Sequence, residues 1–261
     1  MTAADSTSGA PLPMTRSGRR GRWIALAAAL VVVASACTPA ALPPTTTTTT
    51  VADRPASEVS MEWWATGDSL FAGYGKHPAA PAHLDGIENF AVQGHTLVQV
   101  DLLGEPHPTV RSQIERMNGL YGAPEHMVVH AGAADLLGRG LWGFDHSSEE
   151  LTDEIASLDE WLRGLGIDVW WTTIAPFTLW SVSGLGGQAE LRLWLNDWMR
   201  THLGDRLLDC EEALIGFGGV FADGQYLLED DGIHVNDWGA RRHARCISER
   251  LADAGRDLPL R

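Results

Sequence analysis

Trp63-Trp64-Ala65-Thr66-Gly67-Asp68-Ser69-Leu70 is the stretch on which the reading of this chain turns. Trp63 to Thr66 reads as a first strand, which ends at Gly67 and Asp68. A helix is expected from Leu70, so Ser69 stands at a strand-to-helix turn. Such a helix would aim unpaired backbone N–H groups and a positive dipole end at that spot. An oxyanion beside the hydroxyl would be favoured there. An isolated Asp-Ser is equally a good helix cap. The turn therefore needs a partner elsewhere before it carries chemistry.

Downstream, strand and helix patterns alternate. Ile87 to Val92 reads as a second strand. Thr109 to Leu120 has helical spacing, with Val110, Ile114 and Met117 on one face. Met127 to His130 is a short buried strand. Ser148 to Leu165 is an amphipathic helix that starts on serines and precedes Gly166. Asp168 to Ile174 is the next strand, followed by a helix over Gln188 to Leu203 and a strand over Arg206 to Cys210. Asp237 to Ala254 is a last helix with Asp237 as its expected cap. This order implies an α/β domain, a parallel sheet covered on both faces. Ligands of such sheets bind beyond the carboxyl ends of the strands, which is where Ser69 stands.

The partner is Asp231-Gly232-Ile233-His234, just before the last helix. A serine is a poor nucleophile until a base takes its proton. His234 suits that task, because an ordinary imidazole titrates near 6.5, close to neutral pH. Asp231 can turn back to hold the imidazole Nδ1–H, since Gly232 tolerates a tight turn. Asp230 is a rival carboxylate. Nucleophile, base and orienting acid are the cast for acyl transfer through a serine ester.

Gly67-Asp68-Ser69-Leu70 together with Asp231-Gly232-Ile233-His234 resembles the GDSL, or SGNH, hydrolase family over most of residues 60–255. The resemblance implies a three-layer α/β/α sandwich with a parallel sheet, similar to flavodoxin. It implies a catalytic triad of Ser69, Asp231 and His234 that needs neither metal nor organic cofactor. A second block matches Asn89-Phe90-Ala91-Val92-Gln93-Gly94, and by resemblance the backbone N–H groups of Ser69 and Gly94 form an oxyanion hole. A third block, normally Gly-x-Asn-Asp, reads Gly132-Ala133-Ala134-Asp135. Ala134 has no side-chain donor where the family has asparagine. Losing one such donor costs roughly 3 kcal/mol in the transition state. Three readings follow. Another group supplies the donor, with Gln93 and His95 as candidates. The enzyme works with two backbone donors, a departure shared with some envelope O-acyltransferases that resemble this family. Or the protein is a degenerate member that binds without turnover. Asp68 and Asp135 match family positions with structural roles. The substrate expected is an ester-bearing small molecule or glycan, with a small acyl group on a carbohydrate or lipid.

The ends of the chain bear on location. Arg16, Arg19, Arg20 and Arg22 precede a run of apolar or small residues from Trp23 to Ala36. That run spans roughly 21 Å as a helix, short of a ~30 Å hydrocarbon core. Residues 1–36 are thus expected to be a lipoprotein-type signal peptide, cleaved before a lipid-bearing Cys37. The alternatives are an ordinary secretory signal or an uncleaved anchor. Residues 37–58, rich in Pro and Thr, form an extended linker to a domain at 59–261. The protein is expected on the outer face of the membrane, held by its lipid anchor, or else secreted. Without residues 1–36 the chain has 15 basic and 33 acidic residues, which argues against nucleic acid as a partner. Cys210 and Cys246 are then an even pair and are expected to form a disulfide.

Other candidates are declined. His126 and His130 lie about 13 Å apart on a strand, so one metal cannot bind both. His77, His83, His95 and His107 occupy Gly- and Pro-rich loops and read first as surface histidines, with lining of the active-site mouth as the alternative. Trp161, Trp170, Trp171, Trp194 and Trp198 read as packing residues. Trp142 and Trp180, with the Ser181 to Gly187 loop, fall on the ligand side of the sheet, where the rings could stack on a sugar or an acyl chain.

Overall fold

The computed structural model describes residues 54–141, 143, 145–177, 186–215, 223–228 and 232–261. Strand β1 (Trp63–Gly67) leads into the one-turn helix α1 (Ser69–Ala72), then strand β2 (Ile87–Asn89). A small hairpin follows, β3 (Asp101–Leu102) against β4 (Glu105–Pro106), before helix α2 (Val110–Tyr121). Strand β5 (His126–His130), helix α3 (Ala133–Leu141) and helix α4 (Ser148–Gly164) come next. Strand β6 (Asp168–Thr172), helix α5 (Gly186–Leu203), strand β7 (Leu207–Leu208) and helix α6 (Asp237–Asp253) complete the order.

The main sheet runs β2-β1-β5-β6-β7 and every pairing in it is parallel. Counting only its own strands, that is the 2-1-3-4-5 order of flavodoxin-like folds, with a switch point between β1 and β5. Side chains alternate faces along each strand. Trp64, Met127, Val129, Val169 and Trp171 join a core with Val110, Ile114 and Met117 of α2, Ile155 and Leu158 of α4, and Leu195 and Met199 of α5. Trp63, Ala65, Val128, Trp170 and Leu208 pack on the other face with Ala244, Ile247 and Leu251 of α6 and Phe71 of α1. These are the three layers the motif resemblance implies. Burial on both faces explains why the strands read as continuous apolar runs.

Local signals set the boundaries. Thr109 caps α2 and Ser147 caps α4, each in a reciprocal capping box. The last helix is capped by Asn236, whose Oδ1 accepts from Gly239 N at 3.0 Å, rather than by Asp237. Asp237 instead stands inside the first turn, bonded to Arg241 four residues on. Strands β2, β6 and β7 stop earlier than expected, whereas β1 runs on to Gly67 and β5 ends at His130 as expected. β2 ends at Asn89 because the Asn89 side chain turns inward, bonding Phe71 O and Ala91 N. Helix α3 was not expected, since Gly138 and Gly140 dilute its pattern. Cys210 and Cys246 are disulfide-bonded and tie the segment after β7 to α6. Trp170 and Trp171 are buried as expected, but Trp194 is exposed on α5. Trp142 and Trp180 lie outside the described residues. Residues 1–53, with the expected signal, Cys37 and most of the linker, also lie outside them.

Candidate active site

The carboxyl ends of β1 and β5 are pressed together, and sequence dictates how. Gly67 has φ +141°, and a Cβ there would lie 1.7 Å from the carbonyl oxygen of His130. Only glycine allows that approach. Asp68 then turns the chain. Its N–H donates to His130 O, its Oδ1 accepts from Leu70 N at 3.0 Å, and its Oδ2 accepts from Ala133 N at 3.0 Å. The fully buried carboxylate also lies 3.3 Å from His130 Nδ1. Asp68 is therefore the cap of α1 and a clamp between β1, β5 and the start of α3. Ser69 follows as the first residue of α1 and is partly exposed at the end of the sheet. That helix has four residues, so the backbone N–H groups of the turn, not a long dipole, are what it offers an anion.

A second loop is sewn to the same place. Val92 N donates to Gly67 O at 3.0 Å, which brings the Gly94 turn beside the Ser69 turn. Gly94 has φ +76°, and its carbonyl contacts His107 Nε2 at 2.8 Å. Gln93 Nε2 donates to Gly73 O at 2.7 Å. Further on, Leu97 N and Val98 N donate to the Asp135 carboxylate at 2.8 and 3.1 Å. Burial pushes Asp135 up to about 7 against the pull of those two donors. Both aspartates thus hold loops beneath the site. Ala134, next to Asp135, is buried.

His83 and His95 were expected at the surface, but both are buried. For His95 the reason is the clip on Leu97, which folds the loop inward. Burial, then the neighbouring His107, hold His95 down to about 4, so its ring is neutral in ordinary buffers.

His234 arrives from the opposite end of the chain. Leu228 N donates to His234 O at 2.8 Å, and Leu227 bridges Val235 in an antiparallel step. Asn236 Nδ2 donates to Gln225 O and Leu227 O, bracing the same turn. Gly239 lets α6 start this close, because a Cβ there would lie 2.3 Å from Tyr226 O. The His234 ring stacks on Tyr74, with centroids 4.3 Å apart and planes 10° from parallel. Tyr74 follows α1 directly, and Gly73 N between them donates to Ser69 O at 3.0 Å. The His234 turn and the Ser69 turn thus meet where the rings of Tyr74 and His234 stack. Tyr74 was missed in the sequence, where a single loop tyrosine gives no signal. Asp231 and its rival Asp230 lie outside the described residues.

His126 and His130 serve separate partners. His126 stacks on Trp63 and bonds Asp168 at 3.0 Å. His130 lies buried against Phe71 and His243.

No family model and no curated protein matches the sequence. Solved structures do match. An acylhydrolase candidate from Bacteroides fragilis superposes with a TM-score of 0.56 at 17% identity, covering 77% of this chain and 94% of the other. A GDSL-like lipase from Bacteroides thetaiotaomicron gives 0.55 at 15% identity over 74% and 89%. The OSK domain of Drosophila Oskar gives 0.52 at 15% identity over 77% and 92%. Likeness at such identities carries architecture alone. The chain has the α/β fold of the GDSL-type hydrolases.

Proposed function

We propose that this protein is a serine esterase that removes a small acyl group from a carbohydrate or lipid. Ser69 Oγ attacks the ester carbonyl while His234 takes its proton. His234 then gives that proton to the leaving alcohol, and water releases the acid by the same steps in reverse order of partners. Asp231 orients His234, and the backbone N–H groups of Ser69 and Gly94 stabilise the oxyanion. The observation that carries this reading is the stacking of His234 on Tyr74, just past the helix that begins with Ser69. Hydrolase-like neighbours of the fold support the reaction class.

The test is turnover of a chromogenic acetyl ester by the purified protein and by Ser69→Ala. We expect Ser69→Ala to fall to background, and equal rates would overturn the assignment. Ala134 favours a second reading, transfer of the acyl group to a sugar hydroxyl. Added saccharide would then divert acyl groups from water. We also propose that the protein is exported and tethered through lipid on Cys37. The Cys210–Cys246 disulfide supports an oxidising compartment. Mass spectrometry of the mature N-terminus tests it, and an unmodified residue 37 would remove the tether.

A further inference from the structure

We propose that the imidazole of His95 donates a ring N–H to the ester carbonyl oxygen as it becomes an oxyanion, a donor that Ala134 cannot provide. This rests on the serine-esterase reading above.

The loop carrying His95 is fixed on both sides of the reacting centre. On one side Val92 N is bonded to Gly67 O at 3.0 Å, two residues before Ser69. On the other, Leu97 N and Val98 N are bonded to Asp135, the neighbour of Ala134. Ala133 N closes the ring of contacts on Asp68, the neighbour of Ser69. His95 is therefore bracketed by the Ser69 turn and the start of α3, immediately after Gly94.

Its side chain is turned inward. His95 is 9% exposed, and its Nδ1 is buried with no hydrogen-bond partner among the described residues. Buried polar atoms are nearly always partnered, so one that is not asks for a reason. An acceptor that arrives with the substrate is such a reason. Gln93, the other neighbour of Gly94, is committed to Gly73 O at 2.7 Å. A neutral imidazole suits the task, because it carries one N–H and does not compete with His234 for the serine proton.

The electron count is simple. The Ser69 Oγ–C bond forms, the serine proton goes to His234, and the carbonyl π pair moves onto oxygen. His95 keeps its proton throughout and only donates a hydrogen bond. When the intermediate collapses, the pair re-forms the carbonyl as the bond to the leaving alcohol breaks, and that alcohol takes the proton from His234.

The experiment treats the full chain with an aryl alkylphosphonate ester and determines the structure of the product, alongside kinetics of three variants. We expect phosphonate on Ser69, with a ring nitrogen of His95 about 3 Å from the phosphonyl oxygen. His95→Ala should lower kcat about 10²–10³-fold with KM little changed, as for other lost oxyanion donors. Adding Ala134→Asn to His95→Ala should recover part of that loss, whereas a merely structural histidine would not be rescued there. If Ser69 stays unlabelled, the esterase reading and this role fall together. If Ser69 is labelled but His95 points away, or if His95→Ala matches the parent in kcat, the role of His95 falls alone. Should His95→Ala not fold, the adduct of the parent protein still decides.

Discussion

At the scale of single residues, the site depends on backbone contacts that leave no room for alternatives. Gly67 is the sharpest case. Its φ of +141° and the 1.7 Å approach of a would-be Cβ to His130 O act together. A methyl group must separate β1 from β5 or rotate Gly67, and either movement breaks the bond from Asp68 N to His130 O. We expect Gly67→Ala to lose about 3 kcal/mol or more in urea unfolding. A loss within about 0.5 kcal/mol, the range of an ordinary surface change, would show that the junction has slack. Glycine at 67 was legible as part of a motif. That its cause is a neighbouring strand's carbonyl was not, because the partner stands more than sixty residues away in sequence.

At the scale of elements, α1 with its following loop acts as one piece. It carries Ser69 at its start and Tyr74 just beyond its end, and Tyr74 is the face against which His234 lies. Tyr74 is 41% exposed, so its contribution is to orientation more than to the core. We expect Tyr74→Ala to lower kcat for a chromogenic ester about 10- to 100-fold through misorientation of the base, with a thermal midpoint close to the parent's. Tyr74→Phe keeps the ring and should keep most of the rate. Loss of activity in both variants alike would assign the effect to the hydroxyl instead. The strands and helices were legible because burial on two faces leaves short continuous apolar runs in the strands and one-sided stripes of helical period in the helices. Helix α3 escaped because its two glycines lower its propensity, and the neighbouring layers hold it regardless. Ser69, Gly94 and His234 were legible as motif residues. His95 was legible only as one of two candidates beside Gly94, and the clip of Leu97 on Asp135 is what sets it apart from Gln93. Tyr74 was not legible, since it takes its role from a ring contact made only after folding.

At the scale of the whole molecule, the buried ionisable groups at this end of the sheet set how stability responds to acid. His243 on α6 is buried beside His130, and burial holds it down to about 3, below the ordinary 6.5. The unfolded chain binds that proton and the folded one does not, so stability falls as pH drops from about 6.5 towards 3. Asp135 acts the other way. Its folded value of about 7 lies above the ordinary 3.8, so the folded state takes up the proton first and gains as pH drops through that range. Each group contributes a slope of up to about 1.4 kcal/mol per pH unit, with opposite signs, and between pH 6 and 4.5 they nearly cancel. His95, His83 and His146, all held below the ordinary value by burial, add to the fall on acidification. So do the carboxyls of Glu150 and Asp237, held down by their hydrogen bonds, and those of Asp168 and Asp209, where hydrogen bonds outweigh the upward push of burial. The two opposing groups can be separated by substitution. Asp135→Asn should leave His243 unopposed and steepen the loss of stability between pH 6 and 4.5 by about 1 kcal/mol per unit, while His243→Gln should flatten it by a similar amount. Urea midpoints at four pH values in that range, for the parent and both variants, measure this directly. Parallel curves for all three would mean that neither buried group changes its protonation on folding.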